Sequence, residues 1–271
     1  MTKIVFVGAG AMAEAIIHGL TKEKIISPES IYVTNKSDEN QLNYLKERYN
    51  VQIVCDQKKA LTEANIIFLA MKPKDANEAL TSLAPYLNNN TTIISVIAGI
   101  SIQTITNSLG NRPIARVMPN TSAAVGMSAS AVCWNELIPE ASKLPIINLL
   151  ESIGSVKVVA EEDLHVVTAL SGSGPAYLYY FAEQFESAAI EHGLNKVDAR
   201  QLFIQTMEGA TQMLKKGDVE PEELRRKVTS PGGTTEAGLE QLMEHKVNEA
   251  IFACINAAQN RSRELGKLFE T

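Results

Sequence analysis

The sequence predicts an α/β fold with a nucleotide-binding first half and an all-helical second half, and three observations lead there. An apolar run, Ile4 to Val7, leads directly into Gly8-Ala9-Gly10-Ala11-Met12-Ala13 and then into a helical pattern ending near Leu20. Strand-like and helix-like stretches alternate from there to Val159, and strand signals cease from Glu161 onward. Such alternation predicts a Rossmann-type, mostly parallel sheet with right-handed crossovers over residues 1–160, followed by a helical domain over 161–271.

The first turn gives the nucleotide reading its chemistry. Gly8 permits a tight turn, Gly10 lets backbone N–H groups approach a pyrophosphate, and Ala13 lets helix and strand pack closely. The helix start adds partial positive charge where a diphosphate would lie. Gly8, Ala9, Gly10, Ala11, Met12 and Ala13 are therefore candidate cofactor-binding residues. A glycine turn by itself is common; strand, turn and helix in immediate succession are what point to a dinucleotide.

Ser30 to Thr34 reads as the second strand, and Asp38 to Tyr49 as a polar helix. At the tip of such a strand an NAD-preferring site carries Asp or Glu for the ribose 2′-OH. Asn35-Lys36-Ser37 stands there instead. An ammonium and a hydroxyl can bind a 2′-phosphate that a carboxylate would repel, so NADP(H) is favoured, with NAD(H) as the alternative. Further strands are expected at Val51–Val54, Asn65–Ala70, Thr91–Val96, Ile114–Met118, Met127–Trp134 and Ser155–Val159. Helices are expected near Lys58–Ala64, Lys74–Leu83, from Ser101, and over Glu140–Ser152. Ligands of parallel sheets bind beyond the carboxyl ends of the strands. Asn35 and Lys36, Ala70, Met71, Lys72 and Pro73, Val96, Ala98 and Gly99, and Met118 and Asn120 should therefore join the first turn around one crevice.

In the second half, Leu164 to Leu170 is helical and is expected to break at Ser171-Gly172-Ser173-Gly174-Pro175. Tyr177 to Glu191 places Leu178, Phe181 and Phe185 on one face, with Gly193 as terminator. Ala199 to Leu214 repeats the pattern, and a last helix is expected from about Lys246 to Phe269. Tyr177, Tyr179, Tyr180, Phe181 and Phe185 put aromatic rings on several sides of one helix. A small helical domain has too little core to hide them all, which predicts a homodimer, with packing against the sheet domain as the alternative. Val228-Thr229-Ser230-Pro231-Gly232-Gly233-Thr234-Thr235 precedes a helix near Thr234. Backbone N–H groups at such a start, with the hydroxyls of Ser230, Thr234 and Thr235, suit a small carboxylate.

Composition excludes several classes. A net charge of −6 argues against a nucleic-acid or anionic-membrane partner, and Arg225-Arg226-Lys227 is too short a basic run to reverse that. Cys55, Cys133 and Cys254 are far apart and fit reduced thiols in the cytoplasm. The four histidines form no metal-spaced pair, so no metal is expected. The first apolar run ends at Gly8, too early for a signal peptide, and no stretch approaches transmembrane length.

These residues together resemble the pyrroline-5-carboxylate reductase family. The resemblance rests on the first turn, Ala70 to Pro73, Ser95 to Gly99, Arg116 to Thr121, Leu170 to Tyr177 and Val228 to Gly238, the last two being the distinctive stretches. It implies a helical domain that binds substrate and dimerises, with a decamer of five dimers as the larger assembly. It also implies hydride transfer from NADPH or NADH to C5 of the cyclic imine Δ1-pyrroline-5-carboxylate, giving L-proline. The substrate carboxylate is then expected on the amides of Gly232, Gly233 and Thr234. Thr235 is expected near the ring nitrogen as the catalytic hydrogen-bond partner, and Met118, Asn120 and Ser230 line the substrate. Three positions depart from the family pattern: Lys36 replaces an Arg, Ser122 a Pro, and Glu161–Thr168 is one residue short. A β-hydroxyacid dehydrogenase, or a non-catalytic NADP-binding regulator of the same fold, is the competing reading.

Overall fold

The computed structural model describes residues 2–268. Two compact units are present: one runs through Ser173 and resumes at Ala258, the other is Gly174–Ala257. The first unit opens with β1 (Ile4–Val7), α1 (Ala11–Lys22), β2 (Ile31–Thr34), α2 (Glu39–Tyr49), β3 (Gln52–Ile53), α3 (Gln57–Thr62) and β4 (Ile66–Leu69). It continues through α4 (Ala76–Leu83), β5 (Thr92–Ser95), α5 (Ile102–Leu109), β6 (Ile114–Met118), β7 (Ser128–Trp134), α6 (Glu140–Glu151), β8 (Gly154–Val158) and α7 (Leu164–Val167). The strands form one sheet in the order β3-β2-β1-β4-β5-β6-β7-β8. β1 to β6 are mutually parallel where they pair, β7 is antiparallel to β6, and β8 is parallel to β7.

Alternation along β1 explains why its run is apolar throughout. Ile4 and Phe6 enter the core formed with Ile16, Ile17 and Leu20 of α1, while Val5 and Val7 enter the opposite core with Leu80 and Leu83 of α4. A strand covered on both faces has no position for a polar side chain. Phe6 and its β4 neighbour Phe68 stack with centroids 4.6 Å apart, a pairing that adds about 1 kcal/mol beyond burial. Helix starts are marked by acceptors at the expected places: Asp38 takes the N–H of Gln41, Asp56 that of Lys59, and Ser101 that of Thr104. Each such cap contributes about 1 kcal/mol.

Beyond the last strand the helix expected from Leu164 leaves the α form at Thr168, and a bend at Ser173, within the break expected at Ser171–Pro175, precedes the next helix. The chain passes through a π turn at Thr168–Gly172, in which the Ser173 N–H donates to the Thr168 carbonyl at 2.8 Å, and α8 (Gly174–Glu191) starts at once. Pro175 falls in the first turn of α8, where its missing N–H costs nothing, and the π turn absorbs the change of pitch. The contact boundary lies at Ser173, and Leu164 and Ala169 before it are buried.

The second unit contains α8, α9 (Lys196–Lys215), α10 (Pro221–Lys227), α11 (Thr234–Glu244) and the beginning of α12 (Val247–Lys267), which ends in the first unit. Gly193, at φ +95°, ends α8, and the Leu194 N–H returns to the Ala189 carbonyl, the double-bonded glycine stop. Phe185 and Phe203 stack at 4.7 Å between α8 and α9. The Arg200 guanidinium, 2.8 Å from Glu186, holds that carboxyl below the usual range. α10 was not anticipated; the basic run Arg225–Lys227 is its last turn, opposite Glu222 and Glu223 in its first. The far end expected for the last helix, Phe269, lies outside the described residues. Among the described residues of this unit, Ala199 alone is buried, and Tyr179 and Phe252 stay 68% and 73% exposed. Among the described residues, no helix is long and apolar enough to cross a membrane.

Candidate active site

A cleft of about 1080 Å³ opens at the carboxyl ends of β1, β2 and β4. In this strand order the chain reverses its direction of travel between β1 and β4, which is where parallel sheets leave a crevice. Its walls are Gly8 to Ala11 after β1, Thr34 to Asp38 after β2, Ala70 to Lys72 after β4, and residues of α4.

Two glycines of the first turn are needed for different reasons. Gly8 has φ +107°, and a Cβ placed on it would come 2.5 Å from the Ala70 carbonyl oxygen. That glycine is demanded by the protein itself. A Cβ on Gly10 would meet nothing within 4 Å. Fold packing therefore does not require glycine there, and the absence of a side chain leaves the backbone open to close approach. Gly10 is also the cap residue of α1, and no side chain caps this helix start. An uncapped N-terminus opening on a cleft fits a diphosphate, and so the residues present fit a dinucleotide.

Of the residues expected to hold a cofactor, Gly8, Ala9, Gly10, Ala11, Asn35, Lys36, Ala70, Met71 and Lys72 line this cleft. Met12, Ala13, Pro73, Val96, Ala98 and Gly99 are not among its walls. Ala13 is fully buried beneath the turn, and Met12 and Val96 pack against the sheet core. Pro73 begins a short 3₁₀ turn and Ala98 is exposed. A Cβ on Gly99 would lie 3.6 Å from the Gly266 nitrogen near the end of α12. That end is tied down further by His165 Nδ1, 3.0 Å from Ser262 Oγ.

The sequence reading missed Glu14 and Glu78. Glu14 of α1 lines the cleft and accepts from Tyr44 and Tyr49 hydroxyls at 3.0 and 3.1 Å, fastening α2 to α1. Glu78 of α4 holds Lys36 Nζ with both carboxylate oxygens, at 2.7 and 2.8 Å. This contact raises the ammonium's pKa above its ordinary value. No local pattern announces the pair, since 42 residues separate its members.

Met118 and Asn120 sit at the end of β6 as expected, but with internal duties. The Asn120 side-chain N–H donates to the Ser171 carbonyl at 3.0 Å, and its oxygen accepts from the Ser122 N–H at 3.1 Å. A proline at position 122 could not supply that N–H. Met118 Cε fills the space where Gly172 would carry a side chain. Thr168 turns its hydroxyl back to the Leu164 carbonyl, 2.6 Å away.

In the second unit, Gly233 is the cap residue of α11, again with no side chain capping the helix. The Gly232 N–H donates to Glu236 Oε2 at 2.6 Å, and the Gly233 N–H to the Ser230 carbonyl at 2.9 Å. Two of the three amides expected to receive a substrate carboxylate are thus engaged within the loop. The cause is plain: Glu236, three residues past the cap, reaches back as in a capping box. The amides of Thr234 and Thr235, in the first turn of α11, are the ones its helical start presents.

Fold and cleft define a dinucleotide-binding protein of the Rossmann class with a helical second part. Residues 161–265 match the family model described as pyrroline-5-carboxylate reductase dimerisation, and residues 3–99 match one described as NADP oxidoreductase, coenzyme F420-dependent. Pyrroline-5-carboxylate reductase 2 of Bacillus subtilis is 47% identical, covering 99% of this chain and 97% of that protein. A solved pyrroline-5-carboxylate reductase from Coxiella burnetii superposes with a TM-score of 0.90 at 33% identity, covering 97% of this chain and 98% of that one. The Plasmodium falciparum pyrroline carboxylate reductase, solved with NADP bound, gives 0.88 at 29% identity, covering 98% of each chain. This chain belongs to the pyrroline-5-carboxylate reductase family.

Proposed function

We propose that this chain reduces Δ1-pyrroline-5-carboxylate to L-proline with a reduced nicotinamide dinucleotide, the last step of proline biosynthesis. The observation that carries the reading is Gly10: a backbone position open to a ligand, at an uncapped helix start, in a chain whose full-length relatives bear this enzyme's name. When bound, the nicotinamide supplies the hydride for the imine carbon. The amides of the first turn and the start of α1 hold the diphosphate, with Ala70, Met71 and Lys72 beside it. Asn35, Lys36 and Ser37 meet a 2′-phosphate, which makes NADP(H) the favoured cofactor and leaves NAD(H) usable.

The Thr234 and Thr235 amides, with Ser230 beside them, receive the substrate carboxylate, and the Thr235 hydroxyl orients the ring nitrogen. A threonine hydroxyl is too weak an acid to give up its proton, so water or the substrate's own iminium supplies it. Catalysis rests on positioning. The apolar surface of the second unit is covered by a second copy, in a homodimer that the family resemblance extends to five dimers. Residues 1–160 bind the nucleotide and 161–271 bind substrate and partner. The enzyme works in the cytoplasm.

One assay tests the reading: NADPH and NADH consumption with pyrroline-5-carboxylate, alongside acyclic keto and hydroxy acids. Turnover of the imine is expected. Turnover of a hydroxy acid alone would replace the reading with a β-hydroxyacid dehydrogenase, and cofactor binding without any turnover with a regulator. Thr235→Ala should lower kcat by about 10- to 100-fold while NADPH binding, followed by fluorescence, stays as it was.

A further inference from the structure

We propose that Glu78 sets how strongly the cleft prefers a 2′-phosphorylated cofactor, by competing with the phosphate for the Lys36 ammonium. The inference rests on the nucleotide reading of this cleft and names a residue that tunes it.

Lys36 is the one cation in the Asn35–Ser37 stretch at the end of β2, and Glu78 already holds it with both oxygens, at 2.7 and 2.8 Å. Both side chains line the cleft and remain about two-thirds exposed, at 68% and 70%. A pair so open to water is weak and exchanges partners readily. The other charged groups along these walls are Glu14, Asp38, Lys72, Lys74 and Asp75, and Asp75 adds to the field that keeps Lys36 protonated. A ribose with a free 2′-OH leaves the pair intact. A 2′-phosphate must draw Lys36 away from Glu78 and then lie near a carboxylate that has lost its counterion. The two cofactors thus differ in what they demand of one carboxylate on α4, and that difference lowers the preference Lys36 alone would give.

The experiment measures dissociation constants for NADPH and NADH by fluorescence, and kcat/KM for each, in the native enzyme and in Glu78→Gln. The preference for NADPH over NADH should grow by about fivefold, as a fall in the ratio of dissociation constants and a rise in the ratio of kcat/KM, and this gain should fade as salt is added. In a Lys36→Gln background the gain from Glu78→Gln should shrink, because the ammonium it would release is gone. Glu63→Gln removes the same charge from a pair with Lys3 elsewhere in this unit and should leave the ratio where it was. A preference for NADPH that stays flat or weakens in Glu78→Gln overturns the proposal, as does a full gain without Lys36 or an equal gain in Glu63→Gln. Binding needs no substrate. An enzyme that ignores pyrroline-5-carboxylate would therefore sink the functional reading with the ratios still readable, while flat ratios in an active enzyme would sink this inference alone.

Discussion

Phe6 in β1 and Phe252 in α12 are the same residue type under opposite conditions: one has no exposed surface, and the other keeps 73% of its own. The contrast extends to the units that hold them. The sheet unit closes two cores, one on each face, with large side chains such as Ile16, Phe68 and Leu80 fully enclosed. The helical unit ends its helices well, with an Asn195 cap and a Gly193 stop, yet leaves Leu178, Tyr179, Tyr180 and Phe252 to solvent. Local signals are equally complete in both, so helix formation is not what separates them. Burial is, and burial is the term that stabilises a folded chain. The sheet unit is finished by its own residues; the helical unit needs another surface.

The largest effect tests the self-sufficient side. Gly8→Ala forces a side chain to within 2.5 Å of the Ala70 carbonyl at a backbone angle of +107°, at a cost of about 3 kcal/mol. Thermal unfolding should drop sharply and NADPH binding should be lost with it. Gly10→Ala meets no protein atom within 4 Å and should keep its melting temperature while weakening NADPH. Equal loss of stability in both variants would break the distinction between a glycine required by the fold and one required by the ligand.

The next test addresses the unfinished side. Leu178→Asp places a charge on a helix surface that is 58% exposed in the single chain. In an isolated unit such a change is nearly neutral, but against a partner it costs about 2 kcal/mol or more, roughly 30-fold in dissociation constant. Sedimentation should show the oligomer dissociating at concentrations where the native chain stays assembled. An unchanged oligomer would remove that face from the interface.

How much of this was legible in the sequence follows the same division. β6, Ile114–Met118, runs from end to end as its apolar pattern predicts, and Asp38, Ser101 and Gly193 mark helix ends where they stand. Those features depend on neighbours within a few residues. What escaped depends on residues far apart or on competition for a donor. The Lys36–Glu78 pair joins the end of β2 to α4; Asn120 is claimed by Ser171; Glu236 takes the Gly232 N–H. The π turn at Thr168–Gly172 escaped because Gly and Pro mark both breaks and tolerated starts. Backbone needs are written locally, whereas side-chain allegiances are settled by the fold.

A smaller effect probes how the sheet unit binds its own carboxyl edge. Glu161 Oε1 accepts from the nearly buried Arg116 guanidinium at 3.1 Å and from the Ile102 N–H at 2.7 Å, joining β6, the start of α5 and the segment before α7. Glu161→Ala leaves both donors without this acceptor and should cost about 2 kcal/mol in urea unfolding. Because the contact lies within the sheet unit, the oligomer should survive the change. Coupled loss of assembly would show that the units do not fail independently.

The smallest effect separates the two regions by chemistry alone, since the three thiols sample three environments. Cys55 is exposed, Cys133 buried in the sheet core, and Cys254 half-buried in the helical unit. Burial pushes the Cys133 thiol up to about 11, with the Glu161 carboxylate raising it further and Arg116 opposing. A raised value means that folding favours the protonated thiol. This contribution to stability is complete below about pH 8.5, the value of a free thiol, and fades as pH climbs through 11. At pH 8 a maleimide should therefore label Cys55 at once and leave Cys133 untouched until global unfolding. Cys254 distinguishes the regions: its labelling should quicken on dilution if a second copy covers the helical unit, and in Leu178→Asp it should be fast at every concentration. A Cys254 rate indifferent to both would mean that the exposed face of this unit is not the one a partner closes.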